Sequence, residues 1–139
     1  MKLEGLIKKG HGRATFYTQK QKPFFKQLGL RNVEKLRDGT INLDISPLTF
    51  GVLKYDHFFE NVIWDETRVE TFGFVEIEEM LYNNKKWEKP GYICVPHKSP
   101  HFKNKSYMEI MAVEIPGITA GNKITLGIEE GKIELYTDH

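Results

Sequence analysis

The run Ile41-Asn42-Leu43-Asp44-Ile45 alternates apolar and polar residues with a period of two. That period is the signature of a strand with one buried face, because successive side chains of a strand point to opposite sides. Ile41, Leu43 and Ile45 therefore face a core, while Thr40, Asn42 and Asp44 share the other face. Asp38-Gly39 supplies the turn that leads into it. Short runs of similar character recur along the chain: Lys2 to Lys9, Thr15 to Thr18, Phe58 to Trp64, Arg68 to Ile77, Gly91 to Val95, Tyr107 to Val113, Lys123 to Ile128 and Lys132 to Tyr136. Turn residues separate them, among them Asn83-Asn84, Pro96, Ile115-Pro116-Gly117 and Glu129-Glu130-Gly131. The last two runs are expected to form a closing hairpin across Glu129-Glu130-Gly131. Pro23 to Leu30 fits a short helix, with Pro23 in the first turn and Gly29 as its stop. Leu48 to Lys54 reads as a second short helix or an extended edge. Many short strands with one or two short helices predict a mainly-β fold of barrel type.

The chain has 139 residues, the size of one domain, so residues 1–139 are read as a single unit. With 40% hydrophobic and 28% charged residues the composition is that of a globular chain. The net charge of +1 supplies no overall attraction to nucleic acid or to an anionic membrane. One cysteine, Cys94, excludes an internal disulfide and a cysteine-based metal site. Its neighbours Tyr92, Ile93 and Val95 are apolar, which predicts a buried, inert thiol. No apolar run approaches the length of a membrane span, and no signal peptide is recognisable at the N-terminus; both predict a cytoplasmic protein.

Four places carry chemistry. Gly10-His11-Gly12-Arg13-Ala14 joins the first strand to Thr15, and backbone N–H groups beside an arginine suit a di- or triphosphate. Because no helix pattern follows those glycines directly, a Walker-type loop and a dinucleotide fingerprint are excluded. Pro96-His97-Lys98-Ser99-Pro100-His101 holds two histidines four apart. Pro100 argues against the helix that a metal pair would need, and Lys98, Ser99 and His101 suit an anion instead. Glu109 alternates with Met108 and Ile110 and could serve as a base. Thr40 and Asn42 offer a hydroxyl and an amide oxygen on one strand face. Each has a plainer alternative: a solvated turn, an exposed loop, an outward-facing glutamate, a solvated strand face.

The order of these pieces resembles the archaeal CTP-dependent riboflavin kinase family, from Glu4 to about Ile128. The resemblance is carried by Glu4-Gly5, Gly10 to Ala14, Phe24-Phe25-Lys26-Gln27-Leu28-Gly29 and Gly39-Thr40-Ile41-Asn42-Leu43. It continues through Val95 to His101, Met108-Glu109-Ile110-Met111-Ala112 and Gly121-Asn122-Lys123-Ile124. It implies a six-stranded cradle-loop barrel and transfer of the γ-phosphate of CTP to the ribityl 5′-hydroxyl of riboflavin, giving FMN. It further implies Mg²⁺ held by Thr40 and Asn42, and nucleotide phosphates cradled by Gly10, His11, Gly12, Arg13, Ala14 and Thr15. Ser99 and His101 would meet the flavin phosphate, and Glu109 would orient or deprotonate the accepting hydroxyl. The chain differs from the family at Arg13-Ala14, where more glycine is usual, and in a shorter segment after Glu109. The partners expected are small molecules, with a monomer or small homo-oligomer as the working form. Two other classes fit the same pieces: a flavin- or nucleotide-binding sensor on this barrel, and a DNA-binding regulator, suggested by Ile118 to Ile124 and opposed by the near-neutral charge.

Overall fold

The computed structural model describes residues 1–8, 14–96 and 106–137. It is mainly β, with eleven strands, one α-helix and one 3-10 turn among those residues. The strands are β1 (Lys2–Lys8), β2 (Ile41–Asp44), β3 (Leu48–Val52), β4 (His57–Asp65), β5 (Arg68–Glu76) and β6 (Glu79–Tyr82). They continue with β7 (Lys85–Lys86), β8 (Gly91–Pro96), β9 (Tyr107–Ala112), β10 (Lys123–Gly127) and β11 (Ile133–Thr137). Nine form one sheet in the order β4-β5-β8-β9-β2-β1-β10-β6-β7, every pairing antiparallel. β4 and β7 end that order unpaired with each other, so the sheet does not close into the expected six-stranded barrel. No helix is long and apolar enough to cross a membrane.

Alternation sorts the side chains into two cores. On one face Leu3, Ile7, Ile41, Leu43, Met108 and Ile110 join Ile93 and Val95 of β8 and Ile124 and Leu126 of β10. On the other, Phe72, Phe74, Tyr92, Cys94 and Met111 are covered by Phe25, Leu30, Val33 and Leu36. The face opposite Leu43 is thus half solvent and half a second core, where single-strand alternation predicts only a polar face.

The cover is helix α1 (Ala14–Gln27) and a 3-10 turn at Val33–Lys35. This corrects two expectations. Thr15 to Thr18 is helical rather than a returning strand, and the helix begins well before Pro23, which sits inside it. Tyr17, Phe24 and Phe25 pack against the sheet, and that tertiary contact outweighs the β preference of the residues around them. Gly29 does stop the helix: at φ 104° it lets Leu30 N–H donate to Phe25 O at 2.9 Å and Gly29 N–H to Lys26 O at 3.1 Å. A helix therefore follows residues 9–13 directly, which removes the stated ground for excluding a strand–glycine–helix phosphate loop. The residues themselves still match neither motif, since Thr15 stands where a third glycine belongs and no Gly-Lys pair follows.

The expected closing hairpin is also corrected. β10 pairs with β1 and β6, whereas β11 leaves the sheet and pairs with β3. Lys132 fixes that departure: its carbonyl accepts from Leu53 N–H at 2.7 Å, and its ammonium contacts Asp56 at 2.7 Å and Glu129 at 3.0 Å. The remaining strands fall where alternation puts them, and Asn83-Asn84 turns with both residues at positive φ, as a tight hairpin tip requires.

Candidate functional site

β2 and β9 pair so that Asn42 stands directly opposite Glu109. The register extends into a row across five strands: Phe74 faces Cys94, Cys94 faces Glu109, Glu109 faces Asn42, and Asn42 faces Lys8. Thr40 precedes β2 on the same face, and its hydroxyl donates to Glu109 Oε1 at 3.5 Å, the long end of hydrogen-bond range. Three of the residues singled out from sequence are therefore neighbours, because even spacing along β2 and antiparallel pairing with β9 leave them no other face.

The other sequence-derived residues do not enter this picture. Gly10, His11, Gly12, Arg13, Ser99 and His101 lie outside the described residues. Ala14 and Thr15 form the first positions of α1.

Thr40 stands between two hollows. One, of ≈ 210 Å³, lies between α1 and the β5-β8-β9 face; Tyr17, Trp64, Arg68, Glu70, Thr40 and Glu109 are among its walls. The other, of ≈ 270 Å³, has Thr40, Asn42, Lys8, Arg37 and Thr119 in its walls. Their electrostatics differ. The first holds one guanidinium and two carboxylates, and the second two cations and no carboxylate among its lining residues. Lys8 is in turn 3.5 Å from Asp44, and Arg37 3.6 Å from Glu114. Hydrogen bonds from the Ser46 hydroxyl and N–H hold the Asp44 carboxyl below its ordinary range.

The first hollow was not legible from local pattern. Its aromatic wall is Tyr17 edge-on to Trp64, with centroids 5.6 Å apart. The Arg68 guanidinium lies 4.7 Å from the Tyr17 ring centre and 5.6 Å from that of Trp64, and its Nη2 donates to the Tyr17 hydroxyl at 3.3 Å. The Trp64 indole N–H is buried and has no acceptor among the described residues, an arrangement that costs about 1–3 kcal/mol if left so. Cys94 forms part of the floor. Burial pushes its thiol well up from the ordinary value, and the Glu109 and Glu70 carboxylates push further, so it is the inert thiol expected. The signals available were the 17, 18, 21, 24, 25 spacing of α1 and the period-2 series Arg68, Glu70, Phe72, Phe74.

The donor set at Thr40 fits a hard cation of the magnesium type. A hydroxyl, an amide oxygen and one carboxylate supply oxygen ligands only, and Mg²⁺ keeps water and phosphate for its remaining positions. Among the described residues there is no cluster of three His, Cys, Asp or Glu side chains, so a carboxylate- or imidazole-rich metal cage is not the pattern here.

No family model matches the chain, and a search of curated proteins finds no match. What the site does must be argued from its own residues.

Proposed function

We propose that the chain is a Mg²⁺-dependent phosphotransferase that moves the γ-phosphate of a nucleoside triphosphate to the ribityl 5′-hydroxyl of riboflavin, giving FMN. CTP is the donor by resemblance, with CDP released. The curled sheet is, on this reading, an opened relative of the cradle-loop barrel of archaeal riboflavin kinases. The observation that carries the proposal is the meeting of Thr40, Asn42 and Glu109 on one face, with Thr40 bonded to Glu109 at 3.5 Å.

Chemically, Mg²⁺ would be held by the Thr40 hydroxyl and the Asn42 amide oxygen, and supplies neutralisation of phosphate charge. Glu109 takes the proton of the attacking hydroxyl at Oε1, and the Thr40 contact fixes that oxygen's direction. The hydroxyl oxygen bonds to the γ-phosphorus as its bond to the leaving diphosphate oxygen breaks, so Glu109 ends protonated. Lys8 and Arg37 bring positive charge to the second hollow, the side that suits a polyphosphate. Residues 10–15 lead straight into the N-terminus of α1, and N–H groups there favour phosphate. Ser99 and His101 are assigned to the flavin phosphate by the resemblance.

The test is to incubate the protein with riboflavin, Mg²⁺ and each of CTP, ATP, GTP and UTP, and to resolve FMN chromatographically. FMN with CTP is expected. Thr40→Ala and Asn42→Ala should each slow turnover by about 10²-fold or more, and Glu109→Gln by about 10²–10⁴-fold. Unchanged rates in the first two variants refute the metal role. Flavin binding without FMN from any nucleotide would leave a sensor in place of an enzyme.

A further inference from the structure

The two hollows beside Thr40 differ in a way that assigns them different cargo. We infer that the α1-side hollow takes a planar heteroaromatic ring with an imide edge, a ring N–H flanked by carbonyls, and that Arg68 and Glu70 read that edge. The inference rests on the phosphotransferase reading only for naming the ring as that of the acceptor flavin.

Size and charge exclude the alternative cargo. At ≈ 210 Å³ the hollow lies below the about 300–1,000 Å³ of pockets for drug-sized ligands, so it holds one fused ring system and not a whole nucleotide. Two carboxylates against one guanidinium among its described walls repel a polyphosphate. The second hollow, with Lys8 and Arg37, has the opposite balance.

Wall chemistry then selects a ring. Tyr17, Trp64 and Phe72 offer aromatic surface, and Met111 adds a polarisable apolar contact. Arg68 is pinned in place by its position over Tyr17 and Trp64 and by its bond to the Tyr17 hydroxyl. Only one of its five donor hydrogens is used in that bond. Glu70 stands two residues along β5 on the same face. A guanidinium donates and a carboxylate accepts, so the pair presents a donor beside an acceptor. That is the complement of a carbonyl beside a ring N–H. Cytosine and adenine lack this edge; the pyrimidine end of a flavin and the base of uridine both have it. At the far wall stand Thr40 and Glu109, so a chain attached to such a ring can reach the proposed reaction centre.

The experiment uses lumichrome, the flavin ring system without a ribityl chain, and follows its fluorescence with no nucleotide or Mg²⁺ present. Uridine and adenosine are titrated in parallel by calorimetry. Lumichrome should bind with quenched emission, as stacking on Tyr17 and Trp64 requires, and adenosine should not bind. Arg68→Ala and Glu70→Ala should each weaken lumichrome by about tenfold or more, because each leaves one edge group unpaired. Methylation at the ring N–H should weaken binding to the unaltered protein by a similar factor and make no difference to Glu70→Ala. Binding of lumichrome identifies a flavin source for the ring, and binding of uridine alone a pyrimidine source. Absence of binding by both, or lumichrome affinity unchanged in Arg68→Ala and Glu70→Ala, overturns the inference. Since no phosphate is transferred in this assay, failure to form FMN leaves its outcome unaffected.

Discussion

Phe25 holds α1 to the sheet, and its removal should open one side of the molecule before it unfolds the rest. Among the described residues of α1, Phe25 is the one fully buried apolar side chain. It meets Phe72 and Phe74 edge-on at 4.9 and 5.0 Å, and stacks more distantly on Phe59 at 6.4 Å. Replacing a buried phenylalanine by alanine costs about 3–5 kcal/mol, through lost transfer energy and the cavity left behind. In Phe25→Ala that loss falls on the contact between α1 and β5, so the free energy of lifting α1 drops by most of it. Cys94 reports the event. It lies in the same cluster beneath α1, and burial keeps its thiol protonated at pH 8. A disulfide reagent such as dithionitrobenzoate therefore reacts only when α1 opens. A drop of about 3–4 kcal/mol corresponds to labelling about 10²–10³ times faster. Leu43→Ala is the control, because Leu43 is fully buried in the other core and costs about 2–5 kcal/mol. It should lower the urea midpoint while leaving Cys94 labelling within a few-fold. If both variants speed labelling equally, Cys94 is reached only by global unfolding, and α1 is not a separately opening lid on the pocket.

Two further predictions concern the frame. Desolvation raises the Asp56 carboxyl, but hydrogen bonds from Lys132 and from the Glu76 N–H outweigh it and hold the group below its ordinary range. Desolvation likewise lowers the Lys132 ammonium, and its bonds to Asp56 and Glu129 outweigh it and hold that group above. A depressed carboxyl stabilises above its unfolded pKa and loses that as pH falls through the folded value. A raised ammonium stabilises below its unfolded pKa and loses that as pH rises. The pair's contribution should thus be level between about pH 4 and pH 10 and decline on both sides. Lys132→Met should lose about 1.5–3 kcal/mol in urea melts at pH 7 and abolish the alkaline decline; a decline of the same size in that variant refutes the assignment. In Gly5→Ala the new methyl would stand 2.7 Å from Leu43 Cγ and 2.9 Å from the Asp44 carbonyl. Backbone cannot yield there without separating β1 from β2, so a loss of about 1–3 kcal/mol is expected by urea melt, and an unchanged midpoint contradicts that packing.

Strands were legible wherever one face is buried and the neighbours are turn residues. Ile41, Leu43 and Ile45 announce their inward face in the residue pattern alone, and with it the outward placement of Thr40 and Asn42. Glu109 follows from the same rule on β9. Long-range choices were not legible. Thr15 to Thr18 carries local β preference, and Pro23 suggests a helix start, yet Tyr17 and Phe25 are helical because a sheet face assembled from β5, β8 and β9 needs cover. Nothing near Glu129-Glu130-Gly131 announces that β11 will pair with β3, since the deciding contact, Lys132 with Asp56, joins residues 76 apart. The aromatic pocket escaped for the same reason: Tyr17, Trp64 and Arg68 come from α1, β4 and β5 and share no sequence window.

This division bears on how the site acquired its chemistry. Along the row Phe74, Cys94, Glu109, Asn42, Lys8 the sheet passes from a covered surface to an open one within five strands. Phe74 is wholly buried and Cys94 nearly so, whereas Asn42 is half-buried and Lys8 exposed. Glu109 stands at the crossing. A carboxylate one strand further toward Phe74 would be sealed under α1, where an ionised group is costly, and one strand further toward Lys8 would be largely hydrated. At the crossing it reaches an apolar, ring-lined hollow on one side and a cationic one on the other, with Thr40 bridging both. A flat sheet with a uniformly solvated outer face offers no such boundary. The edge of α1 creates it, and so a helix that the local residue pattern conceals sets the place where an acid–base group can meet two unlike substrates.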